Sequence, residues 1–279
     1  MMLLADSGST KTHWWLAESG QLSASIVTRG LNPFFFTPES MAAQLVIDLQ
    51  PFIKDQQIQA VHFYGAGCST SANRQMVRDA LKPLLMGNPD ISIENDLLGA
   101  ARALFGREPG IACILGTGSN ACLYKGSEIT HVLPSLGYVL GDEGSGTHLG
   151  KAFLEKLLKD QLPRELNLAF SQAYKLDRAQ ILEEIYRKEH PNRFLASFSV
   201  FIHQQMHHPR IMELLEDCFE AFFREQVCKL PGYEAFEMGC VGSVGYHYRD
   251  IIRRLAIGHG ISSVKLTDSP MAGLLAYHS

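Results

Sequence analysis

Short apolar segments, each bounded by glycine or by clustered polar residues, fill the first third of the chain. Segments of this length that are rich in β-branched and aromatic residues predict strands, and apolar residues at every third or fourth position predict helices. The predicted strands cover residues 2–5, 13–16, 24–28, 61–64 and 91–94. The predicted helices cover residues 40–53, 73–85 and 97–104. Three strands followed by alternating helices and strands predict an α/β lobe.

The same pattern begins again at Ile111, with three further strands predicted at residues 111–115, 121–124 and 130–133. The segment Leu-Ala-Asp-Ser-Gly-Ser-Thr at residues 4–10 resembles the segment Ile-Leu-Gly-Thr-Gly-Ser-Asn at residues 114–120. Both run from an apolar strand into a turn of glycine and small hydroxyl residues, and then into a second strand. This similarity indicates an internal duplication.

The rest of the chain is predicted to be mainly helical from residue 144 to residue 230, where leucine, phenylalanine, glutamate and lysine recur. Two last strands are predicted at residues 237–241 and 264–266, with a Gly-Ser turn and a helix after the first of them. Ser269 and Pro270 predict the N-cap and the first residue of a closing helix. A length of 279 residues fits two lobes, at roughly 150 residues per domain.

Composition and charge narrow the classes of partner. The chain is 46% hydrophobic and 19% charged, its formal net charge is −4, and it has no long basic run, which argues against nucleic acid or an anionic membrane as a partner. No apolar stretch approaches the ~18 residues that span a bilayer, and the apolar start is too short for a signal peptide. The six cysteines form no CxxC pair, which indicates free thiols in a reducing compartment. We therefore expect a cytoplasmic protein.

The two glycine turns have the composition of phosphate-binding loops. Backbone N–H groups in a tight turn of small residues converge on an anion, and the hydroxyls of Ser7, Ser9 and Thr10 add donors. Asp6, at the end of the first strand, is a carboxylate that can hold Mg²⁺ through water. The stretch is not a P-loop, because a lysine follows Thr10 and a strand rather than a helix comes next. A solvent-facing hairpin turn is the alternative, but the second copy at residues 116–119 favours two turns that bind one polyphosphate.

Two acidic residues lie at positions suited to catalysis or binding. Asp96 stands where the strand 91–94 gives way to a helix, and an acid there can accept the proton of a hydroxyl that attacks a phosphoryl group. A helix N-cap is the alternative for Asp96. Asp142 lies in a dense Gly-Asp-Glu-Gly-Ser-Gly turn, where it can bind sugar hydroxyls or a metal. A helix start rich in capping residues is the alternative there.

Two further glycine-rich turns follow predicted strands. Gly242 and Ser243 open a helix, where unpaired N–H groups and missing side chains let a flat ligand such as adenosine approach. Strand-to-helix packing is the alternative for this turn. The turn Gly-Ala-Gly at residues 65–67 does not continue to the glycine that a dinucleotide-binding fold needs, because residue 70 is threonine. We interpret residues 65–67 as a plain tight turn.

Four motifs together carry a family resemblance that spans nearly the whole chain. They are Asp6-x-Gly8-x-Thr10-Lys11-Thr12, Gly116-Thr117-Gly118-Ser119-Asn120, Gly141-Asp142-Glu143-Gly144-Ser145 and Cys240-Val241-Gly242-Ser243-Val244. In this order they resemble the N-acetylglucosamine kinases of the BadF/BadG/BcrA/BcrD ATPase family, within the actin, sugar kinase and Hsp70 superfamily.

The resemblance implies an α/β fold of two ribonuclease-H-like, actin-like ATPase lobes with a central cleft. The first lobe would cover residues 1–110 and be completed by the C-terminal helix at 267–279. The second would cover residues 111–266, with a helical insertion at about 150–232. ATP and Mg²⁺ would bind in the cleft, and the γ-phosphate would pass to the 6-hydroxyl of an amino sugar, with N-acetylglucosamine the first candidate.

The resemblance also implies a role for each matching residue, with Asp96 as the catalytic base and Asp6 as the residue that holds Mg²⁺. The residues implied to bind ATP are Gly8, Ser9, Thr10, Lys11, Gly116, Thr117, Gly118, Gly242, Ser243 and Gly273. The residues implied to contact the sugar are Asn32, Ser119, Ser135, Leu136, Gly137 and Asp142.

The chain departs from the family pattern in two places. Ser135-Leu136-Gly137 stands where the family commonly has Gly-Trp-Gly, so that a broad aromatic wall is missing and the identity of the sugar stays open. Ser7 and Ser9 stand where glycines are usual, which the loop tolerates if their hydroxyls bind phosphate.

Other functions stay open from the sequence. A kinase for N-acetylmuramic acid or glucosamine is one alternative. A second is an ATPase that activates a partner enzyme, although no cysteine lies in the glycine-flanked loop that would hold an iron–sulfur cluster. A third is a sugar-sensing or structural protein with an inactive nucleotide cleft. The sequence allows a homodimer without requiring one.

Overall fold

The computed structural model describes all residues from 1 to 279, and its ten strands form two five-stranded sheets. The strands are β1 (Met2–Ser7), β2 (Lys11–Glu18), β3 (Gln21–Arg29), β4 (Ala60–Gly65), β5 (Asp90–Asn95), β6 (Pro109–Leu115), β7 (Ser119–Lys125), β8 (Ile129–Val132), β9 (Met238–Val241) and β10 (Val264–Thr267).

Fourteen α-helices connect and cover the strands. They are α1 (Pro38–Asp48), α2 (Gln50–Ile53), α3 (Ser71–Leu81), α4 (Asp96–Phe105), α5 (Gly137–Leu140), α6 (Gly146–Leu158), α7 (Arg164–Ala173), α8 (Arg178–Tyr186), α9 (Pro191–Ser197), α10 (Ser199–Gln204), α11 (Pro209–Glu225), α12 (Ser243–His247), α13 (Arg249–Gly258) and α14 (Met271–His278). None of them is both long and apolar enough to cross a membrane.

The first sheet has the strand order β3-β2-β1-β4-β5. Strands β1, β2 and β3 pair antiparallel through tight connections, whereas β1, β4 and β5 pair parallel through helical crossovers. Leu3 and Ala5 of β1 face a core shared with α1 and α3, and Leu4 faces Met271 and Leu274 of α14. Because successive side chains of a strand point to opposite faces, this one apolar run is buried on both sides.

The second sheet repeats this arrangement. Its strand order is β10-β9-β6-β7-β8, which in reverse matches the order of the first sheet strand by strand. The predicted α/β class with two ribonuclease-H-like sheets is therefore confirmed, and the repeated topology explains the repeated sequence pattern.

The chain divides into two compact units. Unit 1 comprises residues 1–112, 124–129 and 269–279, and unit 2 comprises residues 113–123 and 130–268. The helical part of unit 2 has its own aromatic core, in which the rings of Phe153, Phe170 and Phe201 lie 5.4–5.7 Å apart. Contacts of this kind add to the burial of the rings.

Two predicted helix boundaries are wrong for local reasons. The stretch 40–53 forms two helices, because Pro51 has no N–H to continue the helical bonds of α1. At the closing helix, the N-cap is Pro270 rather than Ser269, and the Ser269 hydroxyl accepts the N–H of Met271 at 3.4 Å. The other predicted strands and helices of the first third lie within the observed ones or differ by a few residues at their ends.

Candidate active site

The turn between β1 and β2 is a tight loop held from two sides. The N–H of Gly8 donates to the Lys11 carbonyl at 3.0 Å, which closes the loop. The end of β3 then packs against it, because the N–H of Gly30 donates to the Thr10 carbonyl at 3.1 Å. A Cβ atom on Gly30 would lie 2.3 Å from the Gly8 carbonyl oxygen, so only glycine fits. The loop of Gly8, Ser9 and Thr10 is thus fixed in shape, as an anion-binding turn requires.

The Ser7 hydroxyl does not belong to this anion-binding surface. Ser7 is fully buried, and its Oγ lies 2.8 Å from Thr12 Oγ1 and accepts the N–H of Leu31 at 3.0 Å. The expectation that Ser7 donates to phosphate is therefore wrong. The serine replaces glycine here because it supplies a buried bond that joins the loop to the segment after β3.

Asp96 is the first residue of α4, and the N-cap is its neighbour Asn95. Asn95 Oδ1 accepts the N–H of Leu98 at 2.7 Å, while Asp96 Oδ1 accepts the N–H of Leu97 at 3.0 Å. The alternative that Asp96 is the N-cap is therefore wrong, since Asn95 is the N-cap. Burial raises the pKa of Asp96 to about 6, although bonds from the backbone amides of Leu97 and Asp96 partly oppose this rise.

Asp6, at the end of β1, is electrostatically coupled to Asp96. Its pKa is raised to about 7, mainly by burial and then by the negative charge of Asp96, while the charge of Lys11 lowers it. Asp6 near the end of β1 and Asp96 at the start of α4 repel each other and offer carboxylate oxygens, which are hard donors. A divalent cation would relieve that repulsion, so the residues present fit Mg²⁺.

Asn32 lies beside the same loop. It caps the short 3₁₀ helix Pro33–Phe35, where its Oδ1 accepts the N–H of Phe34 at 3.0 Å. Its Nδ2 donates to Ser9 Oγ at 3.2 Å, and the residue is only 8% exposed. The structure therefore joins the predicted sugar-binding residue directly to the predicted phosphate loop within unit 1.

The matching turn of unit 2 is anchored by the start of α6. The N–H of Gly116 donates to the Gly118 carbonyl at 3.0 Å, and the N–H of Gly146 donates to the Gly116 carbonyl at 2.8 Å. The buried Thr147 hydroxyl donates to the Thr117 carbonyl at 2.6 Å. Thr147 was not singled out by the sequence, since nothing near residue 147 indicates a bond to residue 117.

Asp142 is strained and lies against this second turn. Its φ of 56° is in the left-handed region, which costs energy for most residues but which aspartate tolerates better than others. Its Oδ1 accepts the N–H of Ser119 at 3.3 Å, and a Cβ on Gly118 would lie 3.1 Å from its Oδ2. Burial raises the pKa of Asp142, while the bond from Ser119 lowers it. The structure thus brings Gly118, Ser119 and Asp142 together.

The Ser119 hydroxyl is already engaged by protein groups. It donates to the Glu143 carbonyl at 2.7 Å, and Gln226 Nε2 donates to it at 3.3 Å and to Glu143 Oε2 at 3.0 Å. Gln226 was missed by sequence reasoning because it follows α11, 107 residues away from Ser119. A role of Ser119 in sugar binding stays a prediction.

Gly242 is required by the backbone of its own unit. Its φ is 122°, its N–H donates to the Thr267 carbonyl at 3.0 Å, and a Cβ would lie 2.4 Å from the Leu115 carbonyl oxygen. The glycine therefore lets β9 and α12 pack closely against β6, and Ser243 begins α12. Adenosine binding at Gly242 and Ser243 stays a prediction.

The remaining predicted residues lie elsewhere in their units. Leu136 precedes α5 and is 58% exposed, and the neighbouring Ser135 and Gly137 are also accessible. Gly273 lies in α14, where a Cβ would meet the Ala103 carbonyl oxygen at 2.2 Å, so its lack of a side chain serves the packing of α14 against α4. Their contacts with sugar or nucleotide stay predictions.

Comparison with solved structures shows the family. Two proteins carry the name putative N-acetylglucosamine kinase. The one from Porphyromonas gingivalis is 43% identical, with a TM-score of 0.96 over 100% of this chain and 98% of its own. The one from Chromobacterium violaceum is 18% identical, with a TM-score of 0.72 over 99% and 98% of the two chains.

A more distant match extends the likeness in fold alone. A ROK family glucokinase from Streptomyces griseus, solved in complex with glucose and AMPPNP, is 12% identical, with a TM-score of 0.54 over 99% of this chain and 97% of its own. No family model matches the chain, and no curated protein matches it. The identity to the Porphyromonas gingivalis protein over the full length is decisive, and the chain belongs to the family of N-acetylglucosamine kinase-like proteins with an actin-like ATPase fold.

Proposed function

We propose that this protein is an ATP-dependent kinase that phosphorylates the 6-hydroxyl of an amino sugar, with N-acetylglucosamine as the substrate. The observation that carries the proposal is Asp96. It stands one residue after the N-cap of α4, its carboxyl group has a pKa of about 6, and it is coupled to Asp6 beside a loop that is shaped for phosphate. The names of the two matching proteins and the nucleotide analogue bound to the glucokinase support the same function.

In this function Asp96 acts as the general base. A base is most effective when its pKa lies near the working pH, and a pKa of about 6 leaves Asp96 mostly ionised at neutral pH. Asp96 accepts the proton of the sugar hydroxyl as the hydroxyl oxygen bonds to the γ-phosphorus. The bond from that phosphorus to the bridging oxygen breaks, and ADP leaves with the electron pair.

The other residues bind and orient the two substrates. The loop that Gly8 closes binds phosphate oxygens through the N–H groups and hydroxyls of Ser9 and Thr10, and the turn that contains Thr117 does the same. Asn32 and Asp142 bind sugar hydroxyls. Asp6 holds Mg²⁺, and the cation supplies charge neutralisation for the phosphates when it is bound.

The test is ADP release by the purified protein with and without N-acetylglucosamine. The proposal expects sugar-dependent ADP release and a product phosphorylated at the 6-position, identified by mass spectrometry and NMR. Equal rates with and without sugar would contradict it and would favour an ATPase that activates a partner enzyme.

A panel of sugars tests the second part of the proposal. Leu136, in place of the family tryptophan, offers an exposed aliphatic side chain rather than a flat ring. N-acetylmuramic acid and glucosamine should therefore be compared with N-acetylglucosamine by kcat/KM. A higher value of kcat/KM for either sugar would replace N-acetylglucosamine as the substrate.

We further propose a cytoplasmic location, and light scattering would show whether the protein is a monomer or a homodimer.

A further inference from the structure

The turn between β4 and α3, residues 65–70, is held by polar side chains that have no role in the reaction described above. Asn73 Nδ2 donates to the Gly67 carbonyl at 2.7 Å. Arg74 donates from Nε to the Cys68 carbonyl at 3.0 Å and from Nη2 to the Ser69 carbonyl at 3.4 Å. Three successive carbonyls of the turn are thus fixed by the first turn of α3.

Arg74 also ties this turn to the strand that leads to the proposed base. Its Nη1 donates to Glu94 Oε2 at 3.2 Å, and Glu94 is two residues before Asp96. A planar guanidinium that binds two carbonyls and one carboxylate orients all three groups at once. The turn therefore has a fixed position relative to the end of β5.

Gly67 of this turn lies directly against the side chain of Asn32. A Cβ on Gly67 would lie 2.3 Å from Asn32 Oδ1 and 3.1 Å from Asn32 Cγ. It would also lie 3.1 Å from Cδ2 of Phe34, whose N–H holds the same Oδ1. The space beside the Asn32 amide is therefore filled on one side by the bare backbone of Gly67.

We infer that Gly67, held in place by Asn73 and Arg74, is a positioning residue that sets the side chain of Asn32 for sugar binding. This inference rests on the proposed function, in which Asn32 contacts the sugar. The bond from Phe34 fixes Oδ1 as the acceptor end of the amide, so Nδ2 is the end that meets a sugar oxygen. One of its two protons is donated to Ser9, and the other is the one that the sugar oxygen accepts.

The consequence is a specific effect on sugar affinity. In Gly67→Ala the new methyl group would overlap Asn32 Oδ1, so the Asn32 side chain must move by about 1 Å to restore ordinary contact. That movement weakens its bonds to Phe34 and Ser9 and displaces the donor. We expect the KM for N-acetylglucosamine to rise roughly tenfold, while kcat and the KM for ATP stay within about twofold.

Gly87 offers a matched control in the same unit. Its φ of 79° is close to the 82° of Gly67, but a Cβ there would meet nothing within 4 Å. Gly87→Ala therefore introduces the same backbone strain without any contact, and its sugar KM should equal that of the unchanged protein. Thermal unfolding curves of both variants should be measured to check that each is folded at the assay temperature.

The deciding experiment is a double-mutant cycle between positions 67 and 32. If Gly67 acts through Asn32, then Gly67→Ala should not raise the sugar KM further once Asn32→Ala is present. An equal rise in both backgrounds, or a sugar KM for Gly67→Ala equal to that of Gly87→Ala, would overturn the inference. Should Gly67→Ala not fold, Arg74→Lys replaces it, since lysine keeps the charge beside Glu94 but loses the fork to the two carbonyls.

The outcomes separate this inference from the proposed function. Arg74→Lys should raise the sugar KM with little change in the KM for ATP, and an unchanged sugar KM would overturn the positioning role. If the unchanged protein releases ADP only with sugar, and the variants have the same sugar KM as the unchanged protein, the positioning role alone is rejected. Absence of sugar-dependent ADP release in the unchanged protein rejects both.

Discussion

Replacing Asp96 by asparagine should make the protein more stable at alkaline pH and nearly inactive at the same time. The carboxyl group of Asp96 has a pKa of about 6 in the folded protein, against 3.8 for an ordinary aspartate. Its neutral form is therefore favoured by folding. The contribution of Asp96 to the free energy of unfolding is fully present below about pH 4. It is lost as the pH rises through 6, because the folded protein then carries a buried charge. Asparagine has the shape of the neutral acid and avoids that loss.

The magnitude follows from the size of the pKa shift. One pKa unit corresponds to about 1.4 kcal/mol, so a rise of roughly two units sets an upper value of about 3 kcal/mol. Asp96 retains some solvent access, which reduces this to about 1–2 kcal/mol at pH 8. For a chain of this size the melting temperature should rise by about 2–8 °C. Loss of the charge that acts on Asp6 works in the same direction.

Activity should change in the opposite sense. Loss of a general base costs about two to four orders of magnitude in kcat. The bond from the N–H of Leu97 survives in Asp96→Asn, because the asparagine Oδ1 accepts it as the carboxylate did. ATP binding should therefore be retained, which equilibrium titration with a fluorescent ATP analogue can check.

The assay combines differential scanning calorimetry at pH 5 and pH 8 with a coupled measurement of ADP release. Asp90→Asn is the control, since Asp90 is an exposed acid at the other end of β5. That substitution should leave both quantities nearly unchanged. Asp96→Asn with a lower melting temperature at pH 8, or with full activity, would refute the reasoning that links this carboxyl group to catalysis.

Three further predictions concern the pH dependence set by Asp96 and two positions in unit 2. The kcat/KM for sugar should fall about tenfold per pH unit below pH 6 as the proposed base is protonated, and a flat profile between pH 5 and 8 would contradict that role. Gly242→Ala should destabilise unit 2 by about 3 kcal/mol or more in urea titrations, because of its contact with Leu115, whereas Gly232→Ala, also at positive φ but in open space, should cost much less. Thr147→Val should cost about 1 kcal/mol by removing the hydroxyl bond to Thr117, whose carbonyl keeps the bond from the N–H of residue 147, and Thr147→Ser should lose much less.

Much of the fold could be predicted because its signals are local. Each strand of the first sheet contains a short β-prone segment next to a glycine or polar turn, which locates the strand, although every predicted strand is shorter than the observed one. The repeated pattern could be seen because the turns at residues 8–10 and 116–118 both consist of glycine and small hydroxyl residues. Helix boundaries were less certain, since the effect of Pro51 on the end of α1 depends on a single missing hydrogen bond.

The parts of the site that escaped sequence reasoning depend on long-range contacts. Ser7 carries a hydroxyl that looks suited to phosphate, and only the fold shows that Thr12 and Leu31 use it. The bond between Gln226 and Ser119 joins residues 107 positions apart, and no spacing rule indicates it. Gly67 lay in a turn that was interpreted as plain because its importance comes from Asn32, which is distant in sequence.

The two similar turns are anchored by different parts of the protein. A substitution that moves one turn therefore has a different effect from a substitution that moves the other. The turn of unit 1 is bonded through Ser9 to Asn32, a residue proposed to contact the sugar. The turn of unit 2 is bonded through Thr117 to Thr147, a buried residue of α6. A change that moves the whole first turn should therefore also shift Asn32, whereas a change at Asn32 alone leaves the turn held by the backbone bonds of Gly8 and Gly30. A change that moves the second turn through Thr147 acts first on the stability of its own unit. The duplication thus preserved the shape of the loop, while the elements around each copy gave it a distinct link to the rest of the molecule.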